Sequence, residues 1–246
     1  LNWAYHAIDR YAVKGADVVW NLSTRMQAVR RAQGLPEARN QVVPVGVELA
    51  QVRLPKAGQQ KRHALLYMGS LHANKGIQLI VDAMPALLKK TPKAELHIFG
   101  AGPYEAELRR LIALSPVKKR SHLRGALNHA RLFAEAPRYG VAFAPYLEEP
   151  HSYSYWCDPT KPKEYLACGL PVIITKVPWI WELIGDSRRP MGEAIAYDPQ
   201  ALLKACERLL GDDAHWRACR RNALAYATHL AWDGIFVQAF AALPRA

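Results

Sequence analysis

The feature that most limits the fold of this chain is a regular alternation of short apolar runs with longer amphipathic ones. Residues 64–68 read as a strand and 77–88 as an amphipathic helix, followed by a strand at 94–99 and a helix at 104–114. The pattern continues with a short strand at 121–123, a helix at 128–136 and a strand at 141–144. A further strand at 172–174, a Trp-rich helical turn at 178–184 and a strand at 194–197 extend it, and helices fill most of the remaining chain. This alternation predicts a parallel α/β sheet with helices on both faces. Right-handed crossovers then place every strand's carboxyl end on one edge, where ligands bind. Ahead of it, residues 1–15 read as a helix and 16–22 as a strand, with Ser23 a cap for the next helix. Residues 42–47 form an apolar run, and the polar stretch 55–62 reads as a linker or hairpin turn.

The densest local signal is residues 158–175, Asp-Pro-Thr-Lys-Pro-Lys-Glu-Tyr-Leu-Ala-Cys-Gly-Leu-Pro-Val-Ile-Ile-Thr. Pro159 and Thr160 open a helix, and Pro162 fits its first turn, where a missing N–H costs nothing. Gly169 ends the helix, Pro171 blocks its continuation, and a buried strand comes next. Exposed N–H groups at a helix start, beside Thr160, Lys161 and Lys163, suit a phosphate. Glu164, one turn further in, could grip the hydroxyls of an attached ribose. On these residues alone, an ordinary capped helix in an α/β sheet is an equally good account.

Half of the residues are apolar, enough for a substantial core, yet no run of about 18 apolar residues occurs to suggest a membrane span. No secretory signal pattern is visible, and the chain starts at Leu1 within an apparent helix, which reads as a fragment or a processed form of a longer protein. Against 21 acidic residues stand 33 Lys and Arg, a net charge of +12 that favours polyanionic partners. Basic residues gather at Lys118, Lys119, Arg120, Arg124 and Arg131, for which a solvated face is the simpler reading. Cys157, Cys168, Cys206 and Cys219 form no Cys-x-x-Cys pair and stand in no metal-ligand spacing with histidine. Reduced thiols in a cytoplasmic protein are the simplest account of them.

Four loops at the carboxyl edge carry further chemistry. Residues 69–76 (Gly-Ser-Leu-His-Ala-Asn-Lys-Gly) lack Walker spacing, but Gly69 allows close backbone approach and Lys75 can reach a phosphate. Residues 99–104 contain a Gly-x-Gly turn, and 123–127 read Leu-Arg-Gly-Ala-Leu. Residues 145–158 are expected to lack clear structure and hold Glu148, Glu149, His151, Tyr153, Tyr155 and Trp156; such a stretch is functional or a mobile surface loop. His72, His122 and His151 are the histidines nearest this edge, with structural or solvent-facing roles expected, and Trp179 and Trp181 are expected to pack.

The 158–175 stretch resembles the donor-binding segment of family 4 (group 1) glycosyltransferases of the GT-B fold, whose Pro-x-Lys-x-x-Glu-Tyr-x-Ala-x-Gly-x-Pro-Val pattern is matched by Pro159, Lys161, Glu164, Tyr165, Ala167, Gly169, Pro171 and Val172. Residues 69–76 resemble the family's Gly-x-x-x-x-x-Lys-Gly segment, with Ser70 where many members have Arg, and residues 98–103 its Ile-x-Gly-x-Gly-Pro signature. A family Glu eight positions before Glu164 is Trp156 here, so either Asp158 substitutes in touching the donor sugar or the sugar is recognised differently. The resemblance covers roughly residues 42–246. It implies a Rossmann-like parallel sheet, the C-terminal half of a GT-B fold, at 42–230. Residues 1–41 would be a remnant of the N-terminal acceptor domain and 231–246 a crossover C-terminal helix.

By that resemblance the chain is the donor-binding part of an enzyme moving a hexosyl group from a nucleotide diphosphate sugar to an acceptor hydroxyl with retention. Gly69, Ser70, Lys75, Leu123, Arg124, Asp158, Thr160, Lys161 and Glu164 would bind the nucleotide sugar. Lys75, Thr160 and Lys161 would stabilise the diphosphate, Glu164 would hold the ribose, and backbone groups at 123–125 would meet the nucleobase. No catalytic residue is assigned; a histidine or carboxylate from the absent half could contribute. No metal and no resident cofactor are implied. The acceptor would be a glycan, a lipid-linked sugar or a small molecule, a setting compatible with peripheral membrane contact from the cytoplasm; nucleic acid is not an expected partner. Two other classes stay open: another GT-B-type enzyme such as an epimerase or phosphorylase, and a non-catalytic polyanion-binding module.

Overall fold

The computed structural model describes residues 2–56, 58–149 and 153–243. Its body is a sheet of six strands, all pairing parallel: β3 (Lys61–Met68), β4 (Glu95–Phe99), β5 (Ser121–Leu123), β6 (Tyr139–Ala144), β7 (Val172–Thr175) and β8 (Gly192–Ile195). The spatial order is β5-β4-β3-β6-β7-β8, so the chain winds outward one way from β3 and then returns to wind the other way from β6. This is the doubly wound order of dinucleotide-binding sheets, with its switch point between β3 and β6. Strand β3 starts at Lys61, so the polar stretch expected to be a linker already belongs to the sheet at its last two residues.

The strands read as continuous apolar runs because both faces are covered. Leu65 and Tyr67 of β3 enter one core with Leu96, Ile98, Phe143 and Ile173, while Leu66 and Met68 enter the other with Ala142, Val172 and Ile174. The period of two divides each strand between the layers. Helices α3 (Ile77–Lys90), α4 (Glu105–Leu114) and α9 (Pro199–Gly211) lend apolar residues to the first core, Met84, Leu108 and Cys206 among them. Helices α5 (His129–Glu135), α7 (Thr160–Ala167) and α10 (Asp213–Ala227) cover the opposite face with Phe133, Leu166 and Ala223. Two single-turn helices complete the series, α6 (Tyr153–Trp156) and α8 (Trp181–Ile184).

A smaller unit precedes the sheet: α1 (Asn2–Gly15), β1 (Val19–Asn21), α2 (Thr24–Ala32) and β2 (Asn40–Val42), with β1 and β2 pairing parallel. The last helix, α11 (Trp232–Ala241), closes on this unit: Trp20 lies edge-on to Phe240, with ring centroids 5.5 Å apart, and Ile235 and Ala239 pack on Val43. The boundary expected between residues 41 and 42 therefore falls inside β2. The small unit also touches the main sheet's loops, since Arg25 Nη1 donates to the Val177 carbonyl at 2.7 Å and to that of Tyr155 at 2.9 Å.

A cleft at the switch point of the sheet

Three segments meet where the strand order reverses. The loop after β3 carries Gly69, Ser70 and Lys75, the loop after β6 carries Tyr146, and α7 arrives with its N-terminus toward both. They enclose a cleft of about 400 Å³ lined by Gly69, Ser70, Lys75, Thr160, Lys161 and Glu164. Two glycines make the approach possible. Gly76 has φ 70°, and a Cβ there would lie 1.5 Å from the Pro145 carbonyl oxygen, so the two loops touch backbone to backbone. A Cβ on Gly69 would lie 2.7 Å from Lys161 Cε, so its hydrogen is what admits the lysine. Helix α7 is pinned to the end of β3 by Tyr165, whose hydroxyl accepts from Met68 N–H at 2.7 Å and donates to the Met68 carbonyl at 3.2 Å.

Lys161 is the most telling group in the cleft. Its Nζ is buried and has no hydrogen-bond partner among the described residues. It sits over the Tyr67 ring at 4.1 Å and near that of Tyr146 at 5.4 Å. Burial first, and then the neighbouring charge of Lys75, push its pKa down to about 7, with Glu164 opposing. Lys75 approaches the same Tyr146 ring at 5.6 Å. Two like charges facing one hollow, one of them unpaired, form a charge pattern that an anion would neutralise. The N-terminus of α7 adds to it, because Pro159 gives no side-chain cap and the first N–H groups stay open toward Thr160. Glu164 stands one turn along, its carboxyl pushed up by burial and held against His129 Nε2 at 3.4 Å.

The remaining expected site residues are committed to internal contacts or lie outside the cleft. Asp158 lines the cleft, yet its carboxylate is buried and committed: it pairs with Lys163 and accepts from Val45 N–H at 2.6 Å and Trp179 Nε1 at 3.0 Å. It has the role of a structural anchor, so its expected contact with a donor sugar is replaced by this internal pairing. Lys163, grouped by sequence with the phosphate-facing residues, points the other way, into the same ion pair and toward the Val45 carbonyl at 2.7 Å. Leu123 and Arg124 do not reach the cleft. Arg124 lines a separate hollow of about 500 Å³ with Lys61, His97, Arg131 and Tyr139, and the segment meets the turn after β4 where Gly100 N–H donates to the Gly125 carbonyl at 2.9 Å.

Within the stretch expected to lack clear structure, 145–158, residues 145–149 form no helix or strand, as expected, whereas residues 153–156 form a helical turn, and Tyr146 and Ser154 are buried; His151 lies outside the described residues. Tyr67, Tyr146 and His129, which surround Lys161 and Glu164, were not legible as site residues. The one available signal is position, since Tyr146 comes just after the carboxyl end of β6. A larger hollow of about 600 Å³ beside Leu54 and Trp216 has its guanidinium groups bonded already, Arg62 to Asp213 at 3.0 Å and Arg220 to the Gly169 carbonyl at 2.7 Å.

A doubly wound sheet with an electropositive cleft at its switch point defines a class, the Rossmann-like ligand-binding domains. Residues 62–212 match the family described as "Glycosyl transferases group 1", and the chain belongs to that family. It is 25% identical over 238 residues to a glycogen synthase of Mycobacterium tuberculosis, covering 95% of this chain and 54% of that protein. The chain thus spans about half the length of that curated relative. Among solved structures, the Anabaena protein HepE in complex with UDP superposes with a TM-score of 0.76 at 17% identity, over 94% of this chain and 65% of the other. The pneumococcal O-GlcNAc transferase in complex with UDP and GlcNAc gives 0.71 at 19% identity, over 93% and 45%. These likenesses show the fold: an α/β Rossmann-like parallel sheet, the C-terminal half of a GT-B fold.

Proposed function

We propose that this chain binds a nucleotide diphosphate sugar in the switch-point cleft, as the donor half of an enzyme that transfers the sugar to an acceptor hydroxyl with retention. The observation that carries the reading is the buried, unpartnered ammonium of Lys161 facing Lys75 at the start of α7. A diphosphate would neutralise both lysines and take up the open N–H groups beside Thr160. Glu164, at the same mouth, would accept hydrogen bonds from the ribose hydroxyls. The backbone at Gly69 and Ser70 would lie against the phosphates, and the nucleobase would extend toward the Gly100–Gly125 contact. As leaving-group charge grows in the transition state, the two ammonium groups would stabilise it more than the ground state. A nucleoside diphosphate bound to HepE and to the pneumococcal transferase supports the ligand class. The acceptor and the residue that completes catalysis would lie on the half this chain does not span.

Calorimetry against UDP, GDP and ADP tests the reading. Binding of at least one of them is expected. No heat with any of the three at millimolar concentration would remove the donor site.

A further inference from the structure

Away from the cleft, strand pairing sets a histidine of the edge strand β5 beside a carboxylate and a histidine of β4. Glu95 and His97 are two residues apart on β4 and so share a face. His122 on the edge strand β5 is directly paired with His97. The imidazole centroids lie 4.9 Å apart. His97 Nε2 is 3.5 Å and His122 Nε2 is 3.8 Å from the same carboxylate oxygen, Oε2 of Glu95. One ligand atom from each residue lies within 4.8 Å of the others.

We propose that Glu95, His97 and His122 form a binding site for a divalent transition-metal ion of the zinc type, independent of the donor cleft. Two ligands each about 2.0–2.1 Å from a tetrahedral zinc stand about 3.3 Å apart. The two nitrogen-to-oxygen separations exceed that spacing only slightly, so small side-chain rotations close the set. Neither distance makes a good hydrogen bond, and His97 Nδ1 is buried with no partner among the described residues. The three groups therefore converge without satisfying one another. Arg120 holds the other oxygen, Oε1, at 3.0 Å, which fixes the carboxylate with Oε2 turned to the imidazoles. That is the kind of outer hydrogen bond that orients a ligand. The bland alternative is an ion-pair cluster on a basic face, since Arg120 bonds Glu95 and Arg124 lines the same hollow as His97.

The chemistry of the set, two imidazoles and one carboxylate, suits zinc, cobalt or nickel better than magnesium or calcium. Side-chain exposures of 40% for Glu95 and 31% for His122 leave the site open to solvent, with room for water as a fourth ligand. An ion here would staple the edge strand β5 to β4, just ahead of the Gly100–Gly125 contact.

The test uses tag-free, chelator-stripped protein, titrated with Co²⁺ and followed by its visible d–d bands, then with Zn²⁺ in calorimetry. One Zn²⁺ per chain is expected, displacing Co²⁺ and raising the melting temperature. His122→Gln and Glu95→Gln alter half-buried side chains conservatively and should keep the circular dichroism of the metal-free protein. Each should weaken Zn²⁺ at least as much as the roughly 10–100-fold loss seen when outer partners are removed. Absence of Co²⁺ bands and of Zn²⁺ heat at millimolar metal would overturn the proposal. So would Zn²⁺ binding of unchanged affinity in His122→Gln, which would put the ion on other histidines.

Discussion

At the scale of single residues, the cleft is built from side chains whose charges are not settled by the protein alone. Lys75 and Glu164 should fail differently when removed. Lys75→Ala takes away attraction for the diphosphate, so diphosphate binding should weaken by roughly 1.5–3 kcal/mol while the bare nucleoside is little affected. On the proposed function Glu164→Ala would remove the ribose contact, so a 2′-deoxy analogue should cease to be discriminated. Calorimetry on both variants checks the pair, and equal losses for every ligand would undercut the two roles. Lys161 gives a pH signature. Its folded pKa of about 7 lies below its ordinary value of 10.5, so between those values the unfolded chain binds the extra proton. The cost of burying the charge is complete below about 7 and is relieved as pH rises toward 10.5. Lys161→Met should therefore melt higher than the parent by several degrees at pH about 6, about 2–4 °C for each 1 kcal/mol, with the gap narrowing as pH rises from about 7 toward 10.5. The same variant should lose diphosphate binding. In the parent, diphosphate affinity should fall as pH rises through 7, with proton uptake visible in buffers of different ionisation heat. A melting gap that widens with pH would contradict the assignment.

At the scale of elements, α7 is held in place by two devices. The Tyr165 hydroxyl spans the last peptide groups of β3, and the Lys163–Asp158 pair ties the first turn of α7 to the Val45 segment and to Trp179. Removing one partner of a buried pair leaves an uncompensated charge. Lys163→Met should thus cost about 3–5 kcal/mol in denaturant unfolding, and Asp158→Asn added to it should recover much of that loss. Simple additivity of the two single losses would show that the pair is not coupled. Because the same turn presents Lys161, donor binding should weaken along with stability in Lys163→Met and return in the double variant.

At the scale of the molecule, the proposed function gives this chain one wall of a two-walled cleft. Sugar transfer needs donor and acceptor held with reacting atoms about 3–3.5 Å apart in a site closed to water. The 246-residue chain should therefore bind donor yet show no measurable transfer in a radiolabelled-sugar assay. Robust transfer by the chain alone would place an acceptor site within it, and the mouth near Tyr153 would be the first place to look. The N-terminal helix α1 leaves Trp3, Ile8 and Tyr11 exposed, at 77%, 67% and 84%. It is held to the smaller unit chiefly through polar contacts such as the Arg30–Asp9 pair.

The order of strands and helices, the Gly69, Lys75, Thr160, Lys161 and Glu164 cluster, and the family were legible in the sequence by itself. Periodicity is local, and strand-to-helix loops in a parallel sheet must share one edge. Which charges are used internally was not legible, because that depends on atoms far apart in the chain. Lys161 and Lys163 are two positions apart on a helix start and look alike in sequence. Only the packed structure turns one toward an open cleft and the other into a pair with Asp158, completed by Val45 and Trp179. Likewise Glu95 and His122 are 27 positions apart, and only strand pairing sets both beside His97. Arg124, which the family resemblance put beside the nucleotide through its backbone, follows the edge strand, and its side chain lines a different hollow, because which loops adjoin the cleft is set by strand order and not by neighbours in the chain.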